Sequence, residues 1–156
     1  PAPGLHRGKG HHMSPGTIRR DLVRIKVQEI REGIDLVRAH IPGTFGEFSR
    51  MGLLKDGIYK RTEYAIETVL DICAILNADL RLGVPGEDED ILANLCHNRI
   101  LTPEMVQRIR GMKAFQNIVV HRYGTIDDRI AYSLLQDRIG DFELFCRDID
   151  RFLALN

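Results

Sequence analysis

Cysteine is scarce in this chain. The three residues, Cys73, Cys96 and Cys146, are odd in number and widely spaced. That pattern excludes a disulfide framework and offers no zinc-ligand spacing, so we expect three reduced cysteines packed as small hydrophobes. Long apolar runs are also missing. None approaches the roughly eighteen residues needed to cross a membrane, and the N-terminal stretch has no apolar segment of a secretory signal. A cytoplasmic protein with no membrane partner is therefore expected. Net charge is missing too: 22 Lys and Arg balance 22 Asp and Glu. Only a local basic patch, not the overall charge, can argue for nucleic acid.

Ordinary globular material fills the chain, with 44% apolar and 28% charged residues over 156 positions. That length suits one domain with a real core. Residues 1–13 differ from the rest. Pro1–Gly4 followed by His6-Arg7-Gly8-Lys9-Gly10-His11-His12-Met13 is polar, glycine-rich and without periodicity. It reads as an appended tag remnant, with Met13 as the native start and 14–156 as the folded domain.

Apolar residues recur at alternating steps of four and three, the signature of helices with one buried stripe. One stripe is Val23, Val27, Ile30, Ile34, Val37 and Ile41; a second is Ile58, Thr62, Ala65, Val69, Ile72 and Leu76; a third is Leu135, Ile139, Phe142, Cys146, Ile149 and Leu153. Such stripes predict an all-α, up-and-down bundle of four main helices plus one or two short ones. Thr17 is a candidate cap for the first helix, which Pro42-Gly43 ends. A short helical turn is expected near Phe45–Met51. The second long helix is expected over about 57–80. Its further apolar residues Ile66, Leu70, Cys73 and Ile75 suit a central helix or one facing another subunit. Glu87-Asp88-Glu89-Asp90 fits the first turn of a short helix, where acids complement the dipole. Thr102-Pro103-Glu104 is a strong helix start. Gly124 is placed to end that helix, and Thr125 to cap the last one.

Several chemistries lack their residues. The chain has no glycine-rich phosphate loop, no Gly-x-Ser-x-Gly elbow and no His-Glu-x-x-His pair. No resident metal and no cofactor are expected. His40 and His97 each sit near a helix end, where interaction with the dipole accounts for them. His121 is different because Asn117, Arg122, Tyr123, Gln116 and Lys113 lie close to it in sequence. Imidazole moves protons near neutral pH, cations and amides bind phosphate, and a phenol adds a donor and a stacking face.

The segment Met112-Lys113-Ala114-Phe115-Gln116-Asn117-Ile118-Val119-Val120-His121-Arg122-Tyr123-Gly124, followed by Ile126-Asp127-Asp128, resembles the HEPN signature of HepT-like toxins. That signature is an arginine, usually followed by Asn, then four to six residues, then His-x-Tyr. Tyr59–Glu67 is similar to the family's second long helix, and the resemblance extends over residues 18–153. One position departs: the expected arginine is Gln116. Five helical residues advance about 140°, so Gln116 and His121 flank a cleft without stacking. Glutamine keeps hydrogen-bond capacity but has no charge to stabilise a phosphorane. Two origins are open, a naturally weakened site or a residue exchanged to silence a toxin.

The resemblance implies a metal-independent endoribonuclease that works as a homodimer on RNA by 2′-hydroxyl attack. His121 would move the proton, residue 116 would stabilise the transition state and Asn117 would orient the site. Arg122 and Lys113 would hold the RNA backbone. It also implies an MNT-type nucleotidyltransferase antitoxin as partner, with Tyr123 as the AMPylated residue. The alternative, motivated by Gln116, is a non-catalytic HEPN module that binds a nucleotidyltransferase or a nucleotide.

Overall fold

The computed structural model describes residues 16–121 and 127–156, with the backbone alone at 120 and 121. The segment read as a tag remnant lies outside them, as do Gly124 and Thr125. Among the described residues the chain is helical with no strand, in the order α1 (Arg20–His40), α2 (Phe45–Ser49), α3 (Leu53–Asp79), α4 (Asp88–His97), α5 (Pro103–His121), α6 (Asp128–Arg138) and α7 (Gly140–Leu155). The expected all-α bundle is what forms. Its long members are α1, α3, α5 and the α6–α7 pair, and its short ones are α2 and α4.

The stripes are the core. Val23, Val27, Ile30, Ile34 and Val37 are all buried, as are Ile58, Thr62, Ala65, Val69, Ile72 and Leu76. Leu135, Phe142, Cys146, Ile149 and Leu153 close it from the other side. α3 is the central helix, packed by α1, α4 and α5. Of its additional apolar residues Ile66 and Cys73 are buried within the chain and Leu70 and Ile75 are half-buried, while Leu53, Leu54 and Tyr64 of the same helix are exposed. Cys73 and Cys146 are buried free thiols, and burial pushes both up to about 12, which suits packing rather than reactivity.

Three boundaries differ from the sequence reading. α1 starts at Arg20 with Arg19, not Thr17, at the N-cap, and no side chain caps it. Here a tertiary ion pair replaces the local cap: the Arg19 backbone N–H donates to Asp79 Oδ2 at 2.9 Å, and its guanidinium to Oδ1 at 2.8 Å. α3 starts at Leu53 rather than near 57, because Gly52 takes a positive φ of 61° and its carbonyl accepts from Lys55 N at 3.0 Å. The last stripe spans two helices, not one, since the helix breaks at Ile139 before Gly140, a poor helix former. The Asp127 side chain caps α6, accepting from Arg129 N at 3.1 Å and Ile130 N at 3.2 Å.

The acidic run opens α4 as expected. The Asp90 carboxylate accepts from Gly86 N at 2.7 Å and Glu87 N at 3.2 Å. Among the described residues no helix is long and apolar enough to cross a membrane.

Candidate active site

α5 carries the residues singled out by the sequence. Its start is set locally: Pro103 occupies the first helical position, and Met105 N–H donates to Thr102 Oγ1 at 3.1 Å. Its inner face buries Met105, Val106, Ile109, Met112 and Phe115 against the core. That anchoring fixes the helix rotation, and with it the faces on which Gln116 and Asn117 stand.

Asn117 is exposed and Gln116 half-buried. At about 100° per residue, positions 110, 113, 114 and 121 all lie within about 60° of Asn117 on one outer face. Gln116 stands about 100° round from Asn117, on the flank toward the core. The helix register therefore brings Asn117 and residue 121 to one face, one turn apart, and leaves Gln116 beside that face rather than on it. The side chain of His121, and Arg122 and Tyr123 altogether, lie outside the described residues.

Lys113 is not a free cation. Its Nζ lies 3.4 Å from Asp88 Oδ2 at the start of α4. Arg110, which sequence reasoning passed over, shares that face. Its Nε donates to Glu89 Oε1 at 2.8 Å, and the hydrogen bond holds the Glu89 carboxyl below its ordinary value. Arg108, nearer the core, pairs with Asp141 at 3.4 Å. All three cations of α5 are thus matched by acids. The signal for Arg110 was available in the sequence, seven residues before Asn117 on the same helical face. The acidic partners were not, because they come from another helix.

At the far end of α5, the α6 start is tied to α3. Asp128 Oδ1 accepts from the Tyr59 hydroxyl at 2.6 Å and Oδ2 from Lys55 Nζ at 2.6 Å. Burial opposes ionisation of Asp128, yet the bonds from Lys55 and Tyr59 hold its carboxyl below the usual range. Burial, and then the bond to Asp128, pushes the Tyr59 phenol well above its ordinary value. An apolar cavity of about 250 Å³ opens between α3, α5 and the α6–α7 junction, lined by Ile66, Met112, Phe115, Leu134 and Phe142. On α5 it is lined by Gly111, Met112, Ala114 and Phe115, and Asn117 is not among its lining residues. Among the described residues no group of three or more His, Cys, Asp or Glu stands where it would hold a metal ion.

A family model described as Ribonuclease HepT-like matches residues 30–149. The chain is 25% identical over 125 residues to the mRNA nuclease HepT of Shewanella oneidensis, covering 80% of this chain and 93% of that one. Among solved structures, the tri-AMPylated Shewanella oneidensis HEPN toxin in complex with MNT antitoxin superposes with a TM-score of 0.75 at 24% identity, covering 84% of this chain and 98% of that one. A cytosolic Bacillus subtilis protein of unknown function, YutE, has the same fold, with a TM-score of 0.74 at 15% identity over 88% of this chain and 92% of that one.

Proposed function

This chain belongs to the HepT-like ribonuclease family, and on that footing we propose that it is a metal-independent endoribonuclease toxin paired with an MNT-type nucleotidyltransferase antitoxin. The observation that carries the reading is the register of α5. It sets the exposed Asn117 one turn before residue 121, on one face at the end of a well-anchored helix.

In this reading the ribose 2′-hydroxyl attacks the adjacent phosphate. His121 accepts the hydroxyl proton or delivers a proton to the departing 5′-oxygen. The O2′–P bond forms and the P–O5′ bond breaks, giving a 2′,3′-cyclic phosphate and a 5′-hydroxyl. Asn117 orients the site, and the group at 116 meets the charge of the phosphorane. Arg122 and Lys113 hold RNA backbone, which requires Lys113 to exchange Asp88 for phosphate. Two copies of the chain form the working unit, a homodimer with the motif helices face to face. Tyr123 is the residue the antitoxin AMPylates. A bulky anion there, two residues from His121, would exclude RNA and alter the local charge.

Gln116 and the paired cations favour a second reading, a HEPN module that binds a nucleotidyltransferase or a nucleotide without cutting RNA. Purified Gln116→Arg protein, incubated with RNA in EDTA, separates the two. Cleavage that His121→Ala abolishes supports the ribonuclease. Silence of the Gln116→Arg protein, with binding to a nucleotidyltransferase retained, supports the module.

A further inference from the structure

Tyr59 is 3% exposed, yet it keeps a hydroxyl. A buried hydroxyl is unfavourable unless bonded, so phenylalanine would serve better if packing were the whole of its task. Its bond goes to Asp128, the first residue of α6, at 2.6 Å. The same ring meets α5, with the Phe115 ring centroid 6.4 Å away at a tilt of 52°. Phe48 of α2 braces the ring edge-on at 5.7 Å and 80°. One side chain on α3 therefore touches both helices that flank the motif: α5 immediately before Gln116 and Asn117, and α6 at its first turn.

We infer that Tyr59 is a positioning residue for this site: its hydroxyl, held by Asp128, sets the ring against Phe115 and so fixes the rotation and height of the last turns of α5. The inference rests on the ribonuclease reading for its catalytic consequence but not for its structural one. Lys55 supplies the contrast. It gives Asp128 its second bond, Nζ to Oδ2 at 2.6 Å, and no aromatic ring ties it to α5. Losing either partner weakens Asp128, but only the loss of the Tyr59 hydroxyl releases the ring that bears on Phe115.

The test uses three full-length proteins: Gln116→Arg, and that protein carrying in addition Tyr59→Phe or Lys55→Met. Steady-state RNA cleavage and the backbone amide resonances of residues 115–117 are measured on each. Tyr59→Phe is expected to lower kcat about tenfold or more with KM unchanged, as misplacement of a reacting group does, while Lys55→Met stays within about twofold. The amide resonances should shift with Tyr59→Phe and hold with Lys55→Met. The proposal is overturned if Tyr59→Phe leaves kcat and the resonances unchanged. It is also overturned if both variants lose kcat in step with their melting temperatures. If the Gln116→Arg protein cuts no RNA, the ribonuclease reading fails, and the resonances alone decide the role of Tyr59.

Discussion

Releasing the α5 cations from their acidic partners should strengthen RNA binding by an amount that can be worked out. Lys113 is held by Asp88 at 3.4 Å and Arg110 by Glu89 at 2.8 Å. Acidification is a poor way to free them, because the bond to Arg110 depresses the Glu89 value and keeps the acid charged well below neutral pH. Substitution is direct: Asp88→Asn with Glu89→Gln removes both partners. The ion pairs are solvent-exposed, so the fold should tolerate their loss. Each cation that reaches a single-stranded phosphate adds about 0.7 to the slope of log affinity against log salt, so two add about 1.4. Lowering salt fourfold, from about 200 to about 50 mM, should then gain the double variant about sevenfold in affinity beyond the gain of its parent. The assay is fluorescence anisotropy with labelled single-stranded RNA, in a His121→Ala background that cannot cleave. Glu29→Gln with Glu32→Gln on α1, across α3 from α5, changes net charge equally and should leave the slope alone. If the slopes of the α4 variant and the α1 control are the same, the outer face of α5 does not meet the RNA backbone.

Three other outcomes follow from the same geometry. Restoring the charge with Gln116→Arg should raise the cleavage rate about 100- to 1000-fold, equivalent to about 2.7–4 kcal/mol; a product without a 2′,3′-cyclic phosphate end would contradict the mechanism. Asp79, Asp128 and Glu143 all have carboxyl values held below the ordinary range by bonds from Arg19, from Lys55 with Tyr59, and from Arg31. Their stabilisation is present above the ordinary range near about 4 and lost as pH falls through the depressed values, so the melting temperature should drop below that pH, and less so in Asp128→Asn. Ile109 is fully buried on the inner face of α5. Ile109→Ala should cost about 2–5 kcal/mol in denaturant unfolding, and a loss under about 1 kcal/mol would mean that this face is not anchored as described.

Much of the fold was legible because its information is periodic. The 3–4 spacing of Val23 to Val37 and of Ile58 to Leu76 names the faces that turn out to be buried. The short helices were readable from Phe45 and from the acids before Ile91, and the α5 start from Thr102-Pro103. The misses have different causes. The first helix was given a local cap at Thr17, whereas Arg19 reaches across to Asp79. The break at Ile139 interrupts a stripe that continues through it, since burial of Leu135 and Phe142 needs the same spacing whether the helix bends or not.

The candidate site divides in the same way. By itself the sequence determined the helical class, the core stripes, the order Gln116, Asn117, His121, Tyr123 and the departure at 116, because residue type and spacing along one helix are local properties. Tertiary structure alone decided that α3 is the helix packed by α1, α4 and α5, and that Lys113 and Arg110 are spoken for by α4. It also decided that Tyr59 links Phe115 to Asp128. These are pairings between different helices, 21 residues apart for Arg110 and Glu89 and 69 for Tyr59 and Asp128. Helical periodicity specifies which side of a helix meets a neighbour, but which neighbour, and which charge or hydroxyl waits there, depends on how the helices pack.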